Sequence, residues 1–202
     1  MLLPENISLI ENGFKYDGVR YQFSDVRSIR FGAVSVKHST NFVKTHDSLH
    51  SDMEIHFTRS ELGKRGSLKI GANKGFFTDY RNYEKQKKLT DALFNFYAVL
   101  AKATFQQRLR YYIESGDDTV AFRYGKFVFF KDGVIVKNSK LYAHLDRNEH
   151  NIMKTYSEIL LEKKGLLGKA VNELFGSKSF DILSDKDVIL QLLSHFYGLS
   201  WS

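Results

Sequence analysis

Two stretches of this chain repeat one hairpin. "ENGFKYDGVRYQF" begins at Glu11, and "KDGVIVKNSKLYA" begins at Lys131. Set side by side without gaps, Gly13 falls on Gly133, an offset of 120. Phe14 then meets Val134, Tyr16 meets Val136, Gly18 meets Asn138, Arg20 meets Lys140 and Tyr21 meets Leu141. Asn-Gly and Asp-Gly are favoured in tight hairpins because their turns need positive φ. Gly18 and Asn138 tolerate the same conformation and suit the following turn. A chain that repeats such a hairpin is constrained towards two copies of one β-rich plan.

A second landmark repeats too. "LTDALFNFYAVLA" (89–101) faces "ILQLLSHFYGLS" (189–200), now at an offset of 100, so that Leu93 meets Leu193 and Phe96 meets Phe196. Apolar residues at i, i+4 and i+7 predict an amphipathic helix in each. The first pattern continues through Phe105, Leu109, Tyr112 and Ile113 towards Gly116, a C-cap candidate. Ser184 and Asp187 predict a capping box at the start of the second. Between hairpin and helix, both halves read as short strands, among them 26–31, 53–58, 119–124, 126–130, 152–156, 157–163 and 179–183. The segment 165–176 reads equally as helix or as loop plus strand. The expected organisation is therefore two domains, 1–116 and 117–202, each mainly β with one C-terminal helix whose apolar stripe closes a bent antiparallel sheet or barrel.

Charge is uneven. Residues 1–116 hold 18 Lys/Arg against 12 Asp/Glu, a balance of +6, while the remainder holds 12 against 11, or +1. That favours anionic partners for the first half. The densest cluster is Lys64, Arg65, Lys69 and Lys74 in "GKRGSLKIGANKG", followed by Arg81, Lys85, Lys87 and Lys88. Nearby glycines would let backbone N–H groups approach an anion. These eight residues are the anion-binding candidates. The chain has no cysteine, which excludes disulfides and thiolate chemistry. No apolar run approaches the roughly 20 residues of a membrane span, and the N-terminus lacks the pattern of a signal peptide. The protein is expected in the cytoplasm, or peripheral to the inner face of the membrane.

No catalytic spacing survives inspection. "KKGLLGKA" (163–170) places two residues between its glycines where a P-loop needs four, and Ala170 has no hydroxyl. His38, His46 and His50 read as part of a polar, mobile insertion and His56 as part of a strand, rather than as a metal site. Glu114, Asp117 and Asp118 read as a solvated turn.

The stretch 109–146, with its strand, Gly-containing turn, "KDG" hairpin and "KLYAHLD" segment, resembles pleckstrin-homology-like (PH-like) domains. "RYQFSDVRSI" (20–29) sits at the same place in the first half. Two in tandem resemble bacterial proteins with paired PH-like domains. The resemblance implies a binding or scaffolding module with no cofactor, metal or catalytic residue. Its expected partners are a protein, a second copy of itself or, weakly, an anionic lipid surface; nucleic acid is not expected. The basic cluster that inositol-phosphate-binding members carry at the first hairpin is missing from both copies. The alternative reading is an enzyme acting on a phosphorylated or nucleic-acid substrate.

Overall fold

A computed structural model of the chain describes residues 2–40, 43–58, 66–71, 83–113, 117–154, 158–165, 178–181 and 184–199. Strand positions 36–40, 43–48, 151, 153–154, 158–159 and 178–181 are described by their backbone alone. The ambiguous segment 165–176, beyond Gly165, and Glu114 and Gly116 lie outside the described residues. The chain divides into two units, Met1–Gln107 and Arg108–Ser202.

The first unit opens with a meander of β1 (Ile7–Ile10), β2 (Gly13–Tyr16) and β3 (Val19–Gln22). A second meander follows: β4 (Val26–Thr40), β5 (Val43–Phe57) and β6 (Ser67–Gly71). The long helix α1 (Tyr83–Ile113) comes next, its residues from Arg108 onward belonging to the second unit. Alternation decides which face is buried. Met53, Ile55 and Phe57 of β5 turn into the core, with Glu54 and His56 on the opposite face. α1 lays Leu93, Phe96 and Leu100 on that core. Phe96 meets Phe14 edge-on at 5.0 Å, and Phe14 stacks on Tyr21 at 5.1 Å. Polar groups also pin the helix to the sheet. Gln86 accepts the Leu49 N–H through Oε1 at 3.0 Å, and the Thr90 and Ser51 hydroxyls share a buried bond of 2.9 Å.

The histidine-rich stretch differs from the polar insertion that the sequence suggests. β4 runs to Thr40, β5 starts at Val43, and their ladder continues to Thr40↔Val43 with His38 opposite His46. Thr, Val, Ser and His tolerate extended backbone, so the pattern continues past the residues paired by β6, which reach only to Asp52.

The second unit has a four-strand meander: β7 (Val120–Tyr124), β8 (Phe127–Phe130), β9 (Val134–Lys137) and β10 (Lys140–His144). Then come β11 (His150–Lys154), β12 (Glu158–Lys163), β13 (Lys178–Asp181) and the helix α2 (Lys186–Tyr197). The whole is a mixed α+β chain. Among the described residues no ladder joins the two sheets of either unit, so neither is a barrel closed by hydrogen bonds.

Two local expectations change. The N-cap of α2 is Asp185 in left-handed backbone (φ 51), not Ser184, and its carboxylate makes no cap bond. Helix α2 buries Ile189, Leu192, Leu193 and Tyr197, while Phe196 is only half-buried, unlike the fully buried Phe96. Tyr197 reaches inward instead and donates to the Phe130 carbonyl at 2.8 Å.

Backbone bonds also refine the match between hairpins. The Asp17 N–H donates to the Asn6 carbonyl, as the Asn138 N–H does to the Lys126 carbonyl. The Phe23 N–H donates to Asn12 as the Leu145 N–H does to Gly133. Asn6–Ile10 therefore corresponds to Lys126–Phe130 at an offset of 120. After the turn the offset becomes 121, pairing the fully buried Phe14 and Ile135. The turn of the second unit is one residue longer.

Candidate functional site

Four of the eight expected anion-binding residues, Lys64, Arg65, Lys74 and Arg81, lie outside the described residues. Lys69 is exposed on β6 and stands 3.5 Å from the Glu54 carboxylate. Lys85, Lys87 and Lys88 are exposed on the first two turns of α1. A helix N-terminus carries partial positive charge, so three lysines there sit against the local field. Of the four that are described, Lys85 lines the cleft of this unit, which has a volume of about 450 Å³. Ile70, Leu89 and Leu93 give the cleft an apolar floor, and Pro4, Glu5, Asn6, Tyr16 and Gly71 also line it. It lies where the start of β1, the end of β6 and the start of α1 approach one another. Among the described residues both strands end their sheets, β1 pairing with β2 and β6 with β5. A cleft of this size suits a small ligand or a few side chains of a peptide.

The second unit holds a buried ionic cluster that sequence reasoning missed. Arg108 has no exposed surface. Its Nη1 donates to Asp185 Oδ1 at 2.7 Å and to Asp187 Oδ1 at 3.0 Å, and its Nη2 donates to Asp187 Oδ2 at 2.7 Å. The Tyr112 hydroxyl donates to Asp185 Oδ2 at 2.5 Å. Burial works against the guanidinium charge, but the hydrogen bonds and charges of Asp187 and Asp185 outweigh it and hold Arg108 above its usual pKa. Burial, then the charge of Asp185, pushes the Tyr112 phenol well above its usual value. One signal was available: Phe96, Leu100, Thr104, Arg108 and Tyr112 recur every four residues, so a lone cation sits within an inward stripe. Both terminal nitrogens of Arg108, both carboxylates and the Tyr112 hydroxyl are engaged with one another, and the arrangement joins the last turns of α1 to the start of α2 within the second unit.

Among the described residues no group of three or more His, Asp or Glu side chains is placed to hold a metal ion. His38 and His46 are outside that statement, being described by backbone alone. Among the described residues no helix is long and apolar enough to cross a membrane. No protein-family model, curated protein or solved structure matches the chain.

Proposed function

We propose that this protein is a non-enzymatic binding or scaffolding module made of two PH-like domains, which engages a protein partner or an anionic membrane surface from the cytoplasm. The order of elements supports the fold reading: each unit runs through two antiparallel meanders and then a helix. The observation that carries the functional reading is the cleft of the first unit, apolar in its floor, with Lys85 at its wall and Lys87 and Lys88 exposed on the same helix end. That arrangement offers apolar contact and positive charge together. The strongly displaced ionisable groups that face one another, Arg108 and Tyr112, are engaged with Asp185 and Asp187 inside the second unit.

Vesicle sedimentation tests the membrane branch. Binding is expected to phosphatidylcholine vesicles that contain phosphatidylglycerol, and not to phosphatidylcholine alone. It fades as salt rises, because exposed charges interact over a Debye length of about 10 Å at 0.1 M. Tight binding to one headgroup that survives high salt would overturn the reading of a diffuse basic surface. No binding at low salt would leave the protein-partner branch standing alone.

A further inference from the structure

We infer that the outer edge of β1 is the docking site for an extended polypeptide segment of a partner protein, which adds as a strand at the place where the second unit has its own β7. The inference rests on the binding-module reading and names the class of partner.

The two units supply the comparison themselves. Asn6–Ile10 corresponds to Lys126–Phe130, because the Asp17–Asn6 and Asn138–Lys126 backbone bonds close the same hairpins. In the second unit the outer edge of β8 is covered by β7, from Tyr124↔Phe127 to Val120↔Phe130. In the first unit β1 ends its sheet, and Leu2–Pro4 form no strand. The first unit is one strand short at this edge among the described residues.

The side chains report the same shortage. Phe129 of β8 is 1% exposed and stacks on Phe122 of β7 at 4.2 Å. Its counterpart Leu9 is 39% exposed. An apolar residue that is core in one copy is at the surface in the other because its cross-strand neighbour is missing. The backbone is open as well. In an antiparallel ladder, bonded pairs alternate. The Asp17–Asn6 bond sets the phase, so Ser8 and Ile10 turn their N–H and C=O groups to β2. The Leu9 N–H and C=O face outward. The Ile7 N–H, which also faces outward, is occupied by the Pro4 carbonyl. Unpaired edge groups next to an apolar side chain are what strand addition uses: main-chain bonds hold the segment and alternate side chains select it. The expected partner segment is thus extended, with an aromatic or branched apolar residue placed over Leu9 and apolar residues at alternate positions. Lysines are no part of this contact, so salt does not weaken it.

A synthetic peptide of residues 118–125, Asp118 to Gly125, carries the β7 sequence and serves as the probe. It is titrated into the isotope-labelled full chain while amide exchange and chemical shifts are followed. The expected result is slower exchange of the Leu9 amide, shifts spreading along β1, and a midpoint unchanged by salt. Two further peptides carry N-methyl groups on alternate amides, one in each phase. The phase that blocks the bonds to β1 is expected to weaken binding about tenfold or more, and the other phase to leave it unchanged. Equal binding of both phases overturns strand addition, as does no binding at millimolar peptide. A Leu9 amide already protected without peptide, or protected only as protein concentration rises, also overturns it, because the edge is then taken by this chain or a second copy. Vesicle binding is measured on the same samples: its loss with peptide binding intact strikes the membrane branch alone, and the reverse result strikes this inference alone.

Discussion

Among the described residues, Arg108 heads the largest side chains that are fully buried. Moving a guanidinium out of water costs several kcal/mol, and only the two carboxylates and their geometry offset this. Removing it strands Asp185, whose side chain has no exposed surface either. Arg108→Ala is therefore expected to destabilise the second unit by about 3–5 kcal/mol, read by chemical denaturation. Arg108→Lys should recover little, because one ammonium cannot reproduce the two-pronged bond to Asp187. Tyr112 adds a pH signature. Its folded pKa is raised above the unfolded value of about 10. A raised folded pKa means that its contribution is complete below about pH 10 and is lost as pH rises past it. Tyr197, raised by burial and then by Asp132, acts in the same direction. Stability measured from pH 8 upward should fall above about pH 10, and Tyr112→Phe should flatten part of that fall. A curve of Tyr112→Phe parallel to the unaltered protein's would remove this role. The arginine was visible in the four-residue stripe from Phe96 to Tyr112, but its partners were not. They lie 77 and 79 residues away, and a sequence carries no distance of that kind.

At the scale of elements, periodicity was the readable part. The β-strand alternation around Met53 and the helical stripe through Leu93 and Phe96 follow from burial of one face, which is a local pattern. Loop length was less readable. The ungapped hairpin match is one residue off at every pair it set from Gly13 onward, because Lys131-Asp132-Gly133 does the work of Glu11-Asn12. The capping box misled for a related reason: Asp185 serves Arg108 and Tyr112 in place of the helix end. Glycine is required at both hairpins, but for different reasons. Gly133 has φ +93, and a Cβ there would lie 2.5 Å from the Leu145 carbonyl oxygen. At Gly13 a Cβ would lie 2.2 Å from the Tyr21 carbonyl oxygen, a backbone atom that cannot step aside. Gly13→Ala and Gly133→Ala should each cost about 1–3 kcal/mol. The helices make a matched pair of tests. Phe96→Ala, at a position with no exposed surface, should cost about 3–5 kcal/mol. Phe196→Ala should cost clearly less, since that ring is half-buried. Equal costs in denaturation curves would mean that the two helices pack alike after all.

Across the whole molecule the net charge is +7, with +6 of it in residues 1–116. Net charge and local clustering both attract a positive protein to an anionic surface, and the two effects can be separated. Lys85, Lys87 and Lys88 are exposed at one end of α1, and Lys126, Lys131 and Lys140 are exposed in the turns and strand starts of the second unit. Replacing either set of three with Glu lowers the net charge from +7 to +1. The two variants then differ only in where the charge was removed. If the proposed surface is the helix end of the first unit, the first variant should lose sedimentation with phosphatidylglycerol vesicles at low salt, and the second should keep most of it. Folding should survive in the first variant, because glutamates at a helix N-terminus meet a favourable field, worth about 0.3–1 kcal/mol each. Far-UV circular dichroism and a thermal melt check that point. Equal losses from both variants would show that net charge alone drives the attraction and that the lysines of α1 form no site. A greater loss from the second variant would move the surface to the hairpin turns of the second unit.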